Sequence, residues 1–246
     1  MVYEPRTYRW WIEHGDLVSF SVTVKETDLR IEADSDLSEP ALEAVNECRG
    51  VLEAYIETHP LFGVTLRPVR VEDNMPGLVK GMAVVAGLAG VGPMAAVAGA
   101  IAEEVGKKLL NFSNEVIVEN GGDIFMRSLR RRVVGIYAGQ SPFTGNVAFE
   151  VQPESTPLGI CCSSGTVGHS LSLGRADAVV SFSSSTALAD AAATAIANKV
   201  GSAEDIDRAI EFAQGINGIT GVAIIKGKSL GLWGKVKLAS LEGPEP

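Results

Sequence analysis

The sequence predicts an α+β protein in which a mostly antiparallel sheet has helices packed on one side. Short segments with alternating or β-branched residues recur along the chain, and segments with helical spacing of apolar residues lie between them. Neighbouring strand segments are often separated by only a few turn residues, which is typical of antiparallel hairpins. Because no Pro- or Ser-rich linker divides the 246 residues, we expect a single domain over residues 1–246.

The strand segments are recognised by alternation of apolar and polar residues, or by short apolar runs between turn residues. The clearest hairpin lies around Asn120 and Gly121, because Asn-Gly is the strongest short-range signal for a tight hairpin turn. In chain order, strands are expected at 17–24, 28–33, 115–119, 124–126, 132–138, 146–151, 158–162, 177–182, 219–225 and 228–233.

The helices are recognised by apolar residues at helical spacing and by runs of strong helix formers such as alanine. Ser202, followed by two acids, is typical of a capped helix start. In chain order, helices are expected at 38–58, 78–89, 93–110, 186–199 and 203–214.

One apolar segment imitates a membrane span. Residues 81–102 carry no charged side chain, and about 20 apolar residues are enough to cross a bilayer. However, Gly92 and Pro93 would break a helix in the middle of this segment. We therefore expect two short buried helices joined by a tight glycine turn, and no membrane span.

Charge and composition argue against some classes of partner. The formal net charge is −9, with 30 acidic against 21 basic residues, which disfavours a broad nucleic-acid-binding surface. One basic cluster contains Arg127 and the three residues Arg130, Arg131 and Arg132. We interpret this cluster as a solvated turn at the end of a hairpin, with anion binding as the alternative.

The cysteines and the N-terminal segment indicate a reducing, cytoplasmic environment. Cys48, Cys161 and Cys162 are an odd number with one adjacent pair, which is not the pattern of a disulfide framework. Neighbouring residues on a strand point to opposite faces, so Cys161 and Cys162 are not expected to bond each other. Residues 1–11 contain no apolar signal-peptide core, so export is not expected.

The alanine-rich helix at 186–199 carries the most informative candidate site. Asp190 and Thr194 are four residues apart, so their side chains share one face of the helix. Because the surrounding alanines add no bulk, a large ligand can approach this face. A carboxylate and a hydroxyl suit Mg²⁺, which usually shares such ligands with a phosphate. The alternative is that Asp190 is an acid near a helix start, where the helix dipole favours it.

Three glycine-bearing segments are further candidates for ligand contact. Each would let a backbone approach a ligand closely or offer free amides and hydroxyls to an anion. The segments are Gly92 with Pro93, Asn120-Gly121-Gly122, and Ser163-Ser164-Gly165-Thr166. Each also has a purely structural alternative: a helix start for the first, a hairpin turn for the second and a plain turn for the third.

The order of these motifs along the chain resembles that of the ApbE family. The likeness covers roughly residues 80–230 and is carried mainly by the runs at 90–100 and 118–123. It is greatest toward an uncharacterised ApbE-like branch. ApbE proteins are FAD:protein FMN transferases, so the resemblance implies a T-fold-like α+β domain and a flavin nucleotide ligand, FAD or FMN.

The resemblance implies a role for most of the candidate residues. Asp190 and Thr194 match the pair that binds Mg²⁺ beside the FAD pyrophosphate. The segment at 163–165 matches a turn near the flavin, and the segment at 120–122 matches the Asn-Gly-Gly turn of the family. Two departures stand out: Ala98 occupies the position of a lysine, and Glu103 that of an aspartate. Of a longer His-containing segment only His169 remains. It is the candidate for proton transfer, and a polar turn residue is the alternative.

Two functions therefore remain open. The first is a flavin-nucleotide-binding protein related to the Mg²⁺-dependent transferases, which would move FMN from FAD to a threonine of an acceptor protein. The second is a non-catalytic module that binds a nucleotide or metabolite within a redox assembly. Whether the chain is an enzyme is left open by the residues, and apolar residues such as Trp10 and Trp11 make a homo-oligomer conceivable.

Overall fold

Two antiparallel sheets form the framework of the protein in a computed structural model that describes residues 17–166 and 174–240. The larger sheet contains, in spatial order, β1 (Val18–Val24), β2 (Thr27–Ala33), β3 (Val116–Asn120), β4 (Asp123–Arg127), β7 (Leu158–Ser163), β8 (Ala178–Ser183), β9 (Ile219–Lys226) and β10 (Ser229–Gly234). The smaller sheet contains β11 (Leu238–Ser240), β6 (Val147–Val151) and β5 (Arg132–Gly135).

The helices connect the strands of the larger sheet. They are α1 (Ser38–Thr58), α2 (Pro60–Val64), α3 (Gly77–Ala89), α4 (Val97–Leu109), α5 (Thr186–Ala197) and α6 (Ile206–Gln214). Short 3-10 helices cover Pro93–Ala96, Pro153–Ser155 and Ala203–Asp205. The α+β class and the antiparallel pairing are therefore as expected.

The two faces of the larger sheet bury different partners. Alternate residues such as Val118 and Phe125 point toward α1 and α4 and form one core with them. Their neighbours along the strands, such as Ile117, pack on the smaller sheet instead, where Phe149 meets Phe182 edge to face at 4.9 Å between ring centroids. The helices occupy one side, as the sequence predicted, but the second sheet on the other side was not predicted.

The apolar segment at 81–102 forms two packed helices, as predicted. Gly90 ends α3 in the left-handed conformation, with φ 75°, and a 3-10 turn from Pro93 leads into α4. Among the residues that the structure describes, no single helix is long and apolar enough to cross a bilayer. Taken together, α3 and residues 93–109 would meet that length and composition, but the chain bends by 102° between them.

The interpretation of the basic cluster was wrong for Arg132. Its side chain is 4% exposed and pairs with Glu115 at 3.0 Å, and its Nε donates to the Ser128 hydroxyl. The chain leaves the larger sheet at this point and starts β5 of the smaller one. At this crossing the Leu129 N–H donates to Glu115 and the Arg130 N–H donates to the Ser128 hydroxyl, so the backbone has polar partners.

Three element predictions also need correction. The predicted strand at 132–138 ends at Gly135, and the predicted helices at 93–110 and 203–214 each begin with a 3-10 turn. The short helix α2 and the strand β11 were not predicted. The expectation of one domain over residues 1–246 stays a prediction.

Candidate functional site

A carboxylate of α4 caps the first turn of α5, and a carboxylate of α5 caps the first turn of α4. In one direction, Asp190 of α5 accepts a hydrogen bond at Oδ2 from the backbone N–H of Gly99, at 2.8 Å. In the other, Glu103 of α4 accepts from the Ala187 N–H at 3.0 Å and from the Ser185 hydroxyl at 3.1 Å. Each carboxylate thereby satisfies an amide that the other helix leaves free in its first turn. The Gly99 N–H at the start of α4 is therefore already bonded to a side chain.

Glycine allows α5 to approach its neighbours at backbone distance. A Cβ on Gly99 would lie 2.5 Å from the Thr186 carbonyl oxygen and 2.7 Å from Asp190 Cβ. A Cβ on Gly159 of β7 would lie 2.4 Å from Thr186 Cα. The first turn of α5 is therefore held between α4 and β7, and this fixes the place of Asp190.

The Asn-Gly-Gly turn meets the same part of α4. Asn120 donates from Nδ2 to the Ala98 carbonyl at 3.0 Å, one residue before Gly99. Gly121 and Gly122 have φ values of 65° and 103°, which favour glycine. Asn120 and Asp190 therefore contact two consecutive residues at the start of α4.

Asp123 is a site residue that the sequence reasoning missed. It pairs with Asn120 across the β3–β4 hairpin and is only 6% exposed. Burial raises the pKa of its carboxyl well above the usual range, and the nearby charge of Asp190 raises it further. The position of Asp123 in the sequence, immediately after the Gly-Gly pair and opposite Asn120, could have indicated this role.

Burial raises the pKa of the Asp190 carboxyl to about 7, although hydrogen bonds from the backbone of Gly99 and Ala98 act to lower it. Within residues 17–166 and 174–240, no Lys or Arg forms an ion pair with Asp190 or Asp123. Two neighbouring carboxylates thus share a buried region without a basic partner. Such a pair is stabilised by a proton or by a cation.

The thiols near this pair are protonated. Burial raises the pKa of Cys161 well above its ordinary value, and the charges of Asp123 and Asp190 add to this effect. Burial also raises the pKa of Cys162 to about 12. All three cysteines are free, as expected, so Cys161 and Cys162 do not bond each other.

The Ser-Ser-Gly-Thr segment divides into two parts. Ser163 is 4% exposed, its hydroxyl has no hydrogen-bond partner, and it lies on the same face of β7 as Gly159, toward α5. Thr166 instead donates to Asp177 at 3.2 Å, and Gly165 donates its N–H to the Ala176 carbonyl at 2.9 Å. Ser163 is therefore the residue of this segment that faces α5, the helix that carries the candidate metal ligands.

Three candidate site residues remain, and the structural result differs for each. A Cβ on Gly92 would lie 1.9 Å from the Thr65 carbonyl oxygen, so packing on that loop explains this glycine without a ligand. Thr194 lies one turn after Asp190 and is partly exposed. His169, the candidate for proton transfer, lies outside the described residues.

A cavity of about 320 Å³ lies beside the turn. Asn120 and Ala98, which also belong to the turn contact, form part of its wall. The rest of the wall is mostly apolar, with one polar edge. Its apolar residues are Leu52, Ile56, Met94, Val97 and Ile101, and its polar edge is formed by Glu26, Thr27, Arg49 and Glu53.

The donor set fits a hard cation better than a transition metal. In the described part of the chain, no group of three or more His, Cys, Asp or Glu side chains is arranged to hold a metal ion. A cation here would depend on few carboxylates and on neutral oxygens. Mg²⁺ binds in this way, through one or two carboxylates together with substrate phosphates and water.

Comparisons with known proteins identify the family of the chain. A family model described as AbpE bacteria matches residues 9–230. A UPF0280 protein from Methanocaldococcus jannaschii is 42% identical over 221 residues, which cover 87% of this chain and 90% of the relative. A UPF0280 protein from Methanosarcina acetivorans is 42% identical over 216 residues, covering 87% of this chain and 85% of the relative.

Two solved structures share the fold at low sequence identity. The apo flavinyl transferase ApbE of Pseudomonas stutzeri has a TM-score of 0.55 at 13% identity and covers 89% of this chain and 94% of its own. The apbe protein of Thermotoga maritima has a TM-score of 0.58 at 12% identity and covers 87% of this chain and 96% of its own. The chain therefore belongs to the AbpE bacteria family, an ApbE-like branch that includes UPF0280 proteins.

Proposed function

We propose that the protein binds a flavin nucleotide, FAD or FMN, together with Mg²⁺ at the start of α5. The observation that carries the proposal is Asp190, a carboxylate without a basic partner that is held against Gly99, beside the Asn-Gly-Gly turn. Mg²⁺, when bound, would neutralise phosphate charge at this point. Family membership and the fold shared with flavin transferases support the flavin as ligand.

The residues of the chain have distinct roles in this proposal. Asp190 and Thr194 supply an anionic and a neutral oxygen on one helix face, and the Gly99 N–H fixes the Asp190 carboxylate. The backbone at Gly121 and Gly122 has no side chains to prevent close approach of the nucleotide. Ser163 offers a hydroxyl without a partner on the facing strand. The neighbouring cavity of about 320 Å³ is at the low end for ligand pockets and would hold one ring system.

A non-catalytic binding module is the second candidate function. One observation favours it: Glu103, which stands where the resemblance implies a family aspartate, is engaged by Ser185, Ala187 and Lys107. Both oxygens of Glu103 are engaged in these contacts, so this carboxylate is not free for chemistry. In the enzyme candidate, a hydroxyl of an acceptor protein would take FMN from FAD and release AMP.

Calorimetric titration with FAD and FMN, in Mg²⁺ and in EDTA, tests the proposal. We expect binding that depends on Mg²⁺, most of it lost in Asp190→Asn and less of it in Thr194→Val, because the first change removes an anionic ligand. Asp205→Asn is the matched control, since Asp205 also caps a helix but lies at the start of α6. Equal binding in EDTA, or wild-type binding by Asp190→Asn, would refute the metal role.

The same samples separate the two candidates. AMP released from FAD in the presence of Mg²⁺ and a threonine-containing acceptor peptide, with FMN transferred to the threonine hydroxyl, supports the enzyme; chromatography detects the AMP. Flavin that copurifies and stays intact, with no AMP formed at saturating FAD, supports the binding module.

A further inference from the structure

We infer that Asp123 is a second carboxylate ligand of the cation, so that one divalent ion is shared between the β3–β4 hairpin and α5. This inference rests on the proposed function and extends it to a residue that neither the motif spacing nor the resemblance assigns. It also names the ligand class, a hard divalent cation bound by oxygens from two separate elements.

A short chain of contacts places the two carboxylates together. Asp123 pairs with Asn120 across the hairpin, and Asn120 donates to the Ala98 carbonyl at 3.0 Å. The next residue, Gly99, donates to Asp190 at 2.8 Å. Asp123 also shares the helix-facing side of β4 with Phe125, because side chains alternate along a strand. The two carboxylates therefore flank the start of α4.

The Oδ1 atom of Asp123 is buried without a hydrogen-bond partner. Its carboxyl group interacts with the Cys161 thiol and the Cys162 N–H, and a thiol is only a weak donor. Two hydroxyls at the same interface of α5 and β7 also lack partners, those of Ser163 and Thr186. Orphaned oxygens are costly in a protein interior, and among the described residues these three lie where β4 and β7 face α5.

Two other buried acids, by contrast, have basic partners. Glu115 is paired with Arg132 at 3.0 Å. Glu103 caps the first turn of α5 and also binds Lys107 at 2.7 Å. A purely structural Asp123 would be expected to have such a partner, whereas a metal ligand would leave one oxygen available to the ion.

The surroundings select an oxygen-binding cation. The Cys161 sulfur lies 3.3 Å from the Thr186 carbonyl oxygen, to which its thiol donates. Mg²⁺ and Mn²⁺ accept carboxylate, carbonyl and hydroxyl oxygens, whereas softer metals favour thiolate or imidazole. Mn²⁺ is therefore a suitable probe, because its electron paramagnetic resonance signal reports the free ion.

The test is Mn²⁺ titration of the nucleotide-free protein, with free Mn²⁺ measured by electron paramagnetic resonance. We expect Asp123→Asn and Asp190→Asn each to weaken Mn²⁺ binding by about tenfold or more, and Asp205→Asn to leave it unchanged. Wild-type binding by Asp123→Asn with loss in Asp190→Asn overturns this inference but leaves the proposed function intact. No loss in either variant overturns both.

A second measurement needs no variant and therefore does not depend on folding of Asp123→Asn. Fe²⁺ is bound in place of Mg²⁺ by the wild-type protein, and ascorbate with peroxide then cleaves the backbone next to the ion. Cleavage near both Asp123 and Asp190, suppressed by excess Mg²⁺, is the expected result. Cleavage near Asp190 alone contradicts a shared ion.

Discussion

The carboxylate of Asp190 accepts a hydrogen bond from the backbone N–H of Gly99 at 2.8 Å, and this contact joins two helices that are 91 residues apart in the chain. It gives Asp190 a structural role as a cap of α4 in addition to its proposed role as a cation ligand. The two roles are compatible, because a carboxylate has two oxygens and several lone pairs. They also have different experimental signatures.

The capping role predicts that Asp190→Ala destabilises the protein more than Asp190→Asn. Asparagine keeps an oxygen that can accept from Gly99, whereas alanine leaves that amide without a partner. We expect a loss of about 1 kcal/mol in the free energy of unfolding for alanine relative to asparagine. Urea denaturation of both variants measures the difference, and equal midpoints would show that the cap contributes nothing.

The reciprocal contact predicts a similar pattern for Glu103. Glu103→Gln keeps an acceptor for the Ala187 N–H and the Ser185 hydroxyl, but Glu103→Ala leaves both without it. We expect alanine to cost about 1–3 kcal/mol, the scale for an unsatisfied buried donor, and glutamine less. If the urea midpoint of unfolding is the same for Glu103→Ala and wild type, the contact does not stabilise α5.

The raised pKa of Asp190, about 7, predicts a pH dependence of stability without divalent ions. Between about pH 4 and pH 7 the folded protein keeps a proton that the unfolded chain has lost, so the free energy of unfolding falls as pH rises. The burial that raises the pKa of Asp123 acts in the same direction. Thermal unfolding in EDTA should therefore show a smaller decline in Asp190→Asn than in wild type. A parallel decline in both proteins contradicts the assignment.

The close approach of α4 and α5 predicts opposite effects for two helical glycines. Gly99→Ala would place a Cβ 2.5 Å from the Thr186 carbonyl oxygen, so a backbone must shift. We expect a loss of about 1–3 kcal/mol, the scale for overpacking, together with weaker Mg²⁺-dependent nucleotide binding. Gly81→Ala in α3 is the matched control, because nothing lies within 4 Å of the new methyl. It should stabilise the protein by about 0.4–1 kcal/mol. Similar melting temperatures for the two variants would contradict the steric argument.

The sequence was most informative where local chemistry decides the structure. Asn120-Gly121-Gly122 predicted a hairpin, and the two central residues of the turn, Gly121 and Gly122, have positive φ values that glycine tolerates best. Gly92 and Pro93 predicted the break between α3 and α4 because proline cannot continue a helix interior. The alanine run around Asp190 predicted α5 for the same kind of local reason.

Only the tertiary structure decided which of these elements meet. The sequence identified β5 as a strand, but its pairing with β6 in a second sheet depends on distant segments, and so does the burial of Arg132. The contacts of Asp123 and Glu103 depend on tertiary structure as well, because their surroundings come from β7 and α5. Local propensity determined the elements and the Asp190–Thr194 pair. Packing between elements far apart in the chain determined which carboxylates are buried, which are paired, and which remain available for a cation.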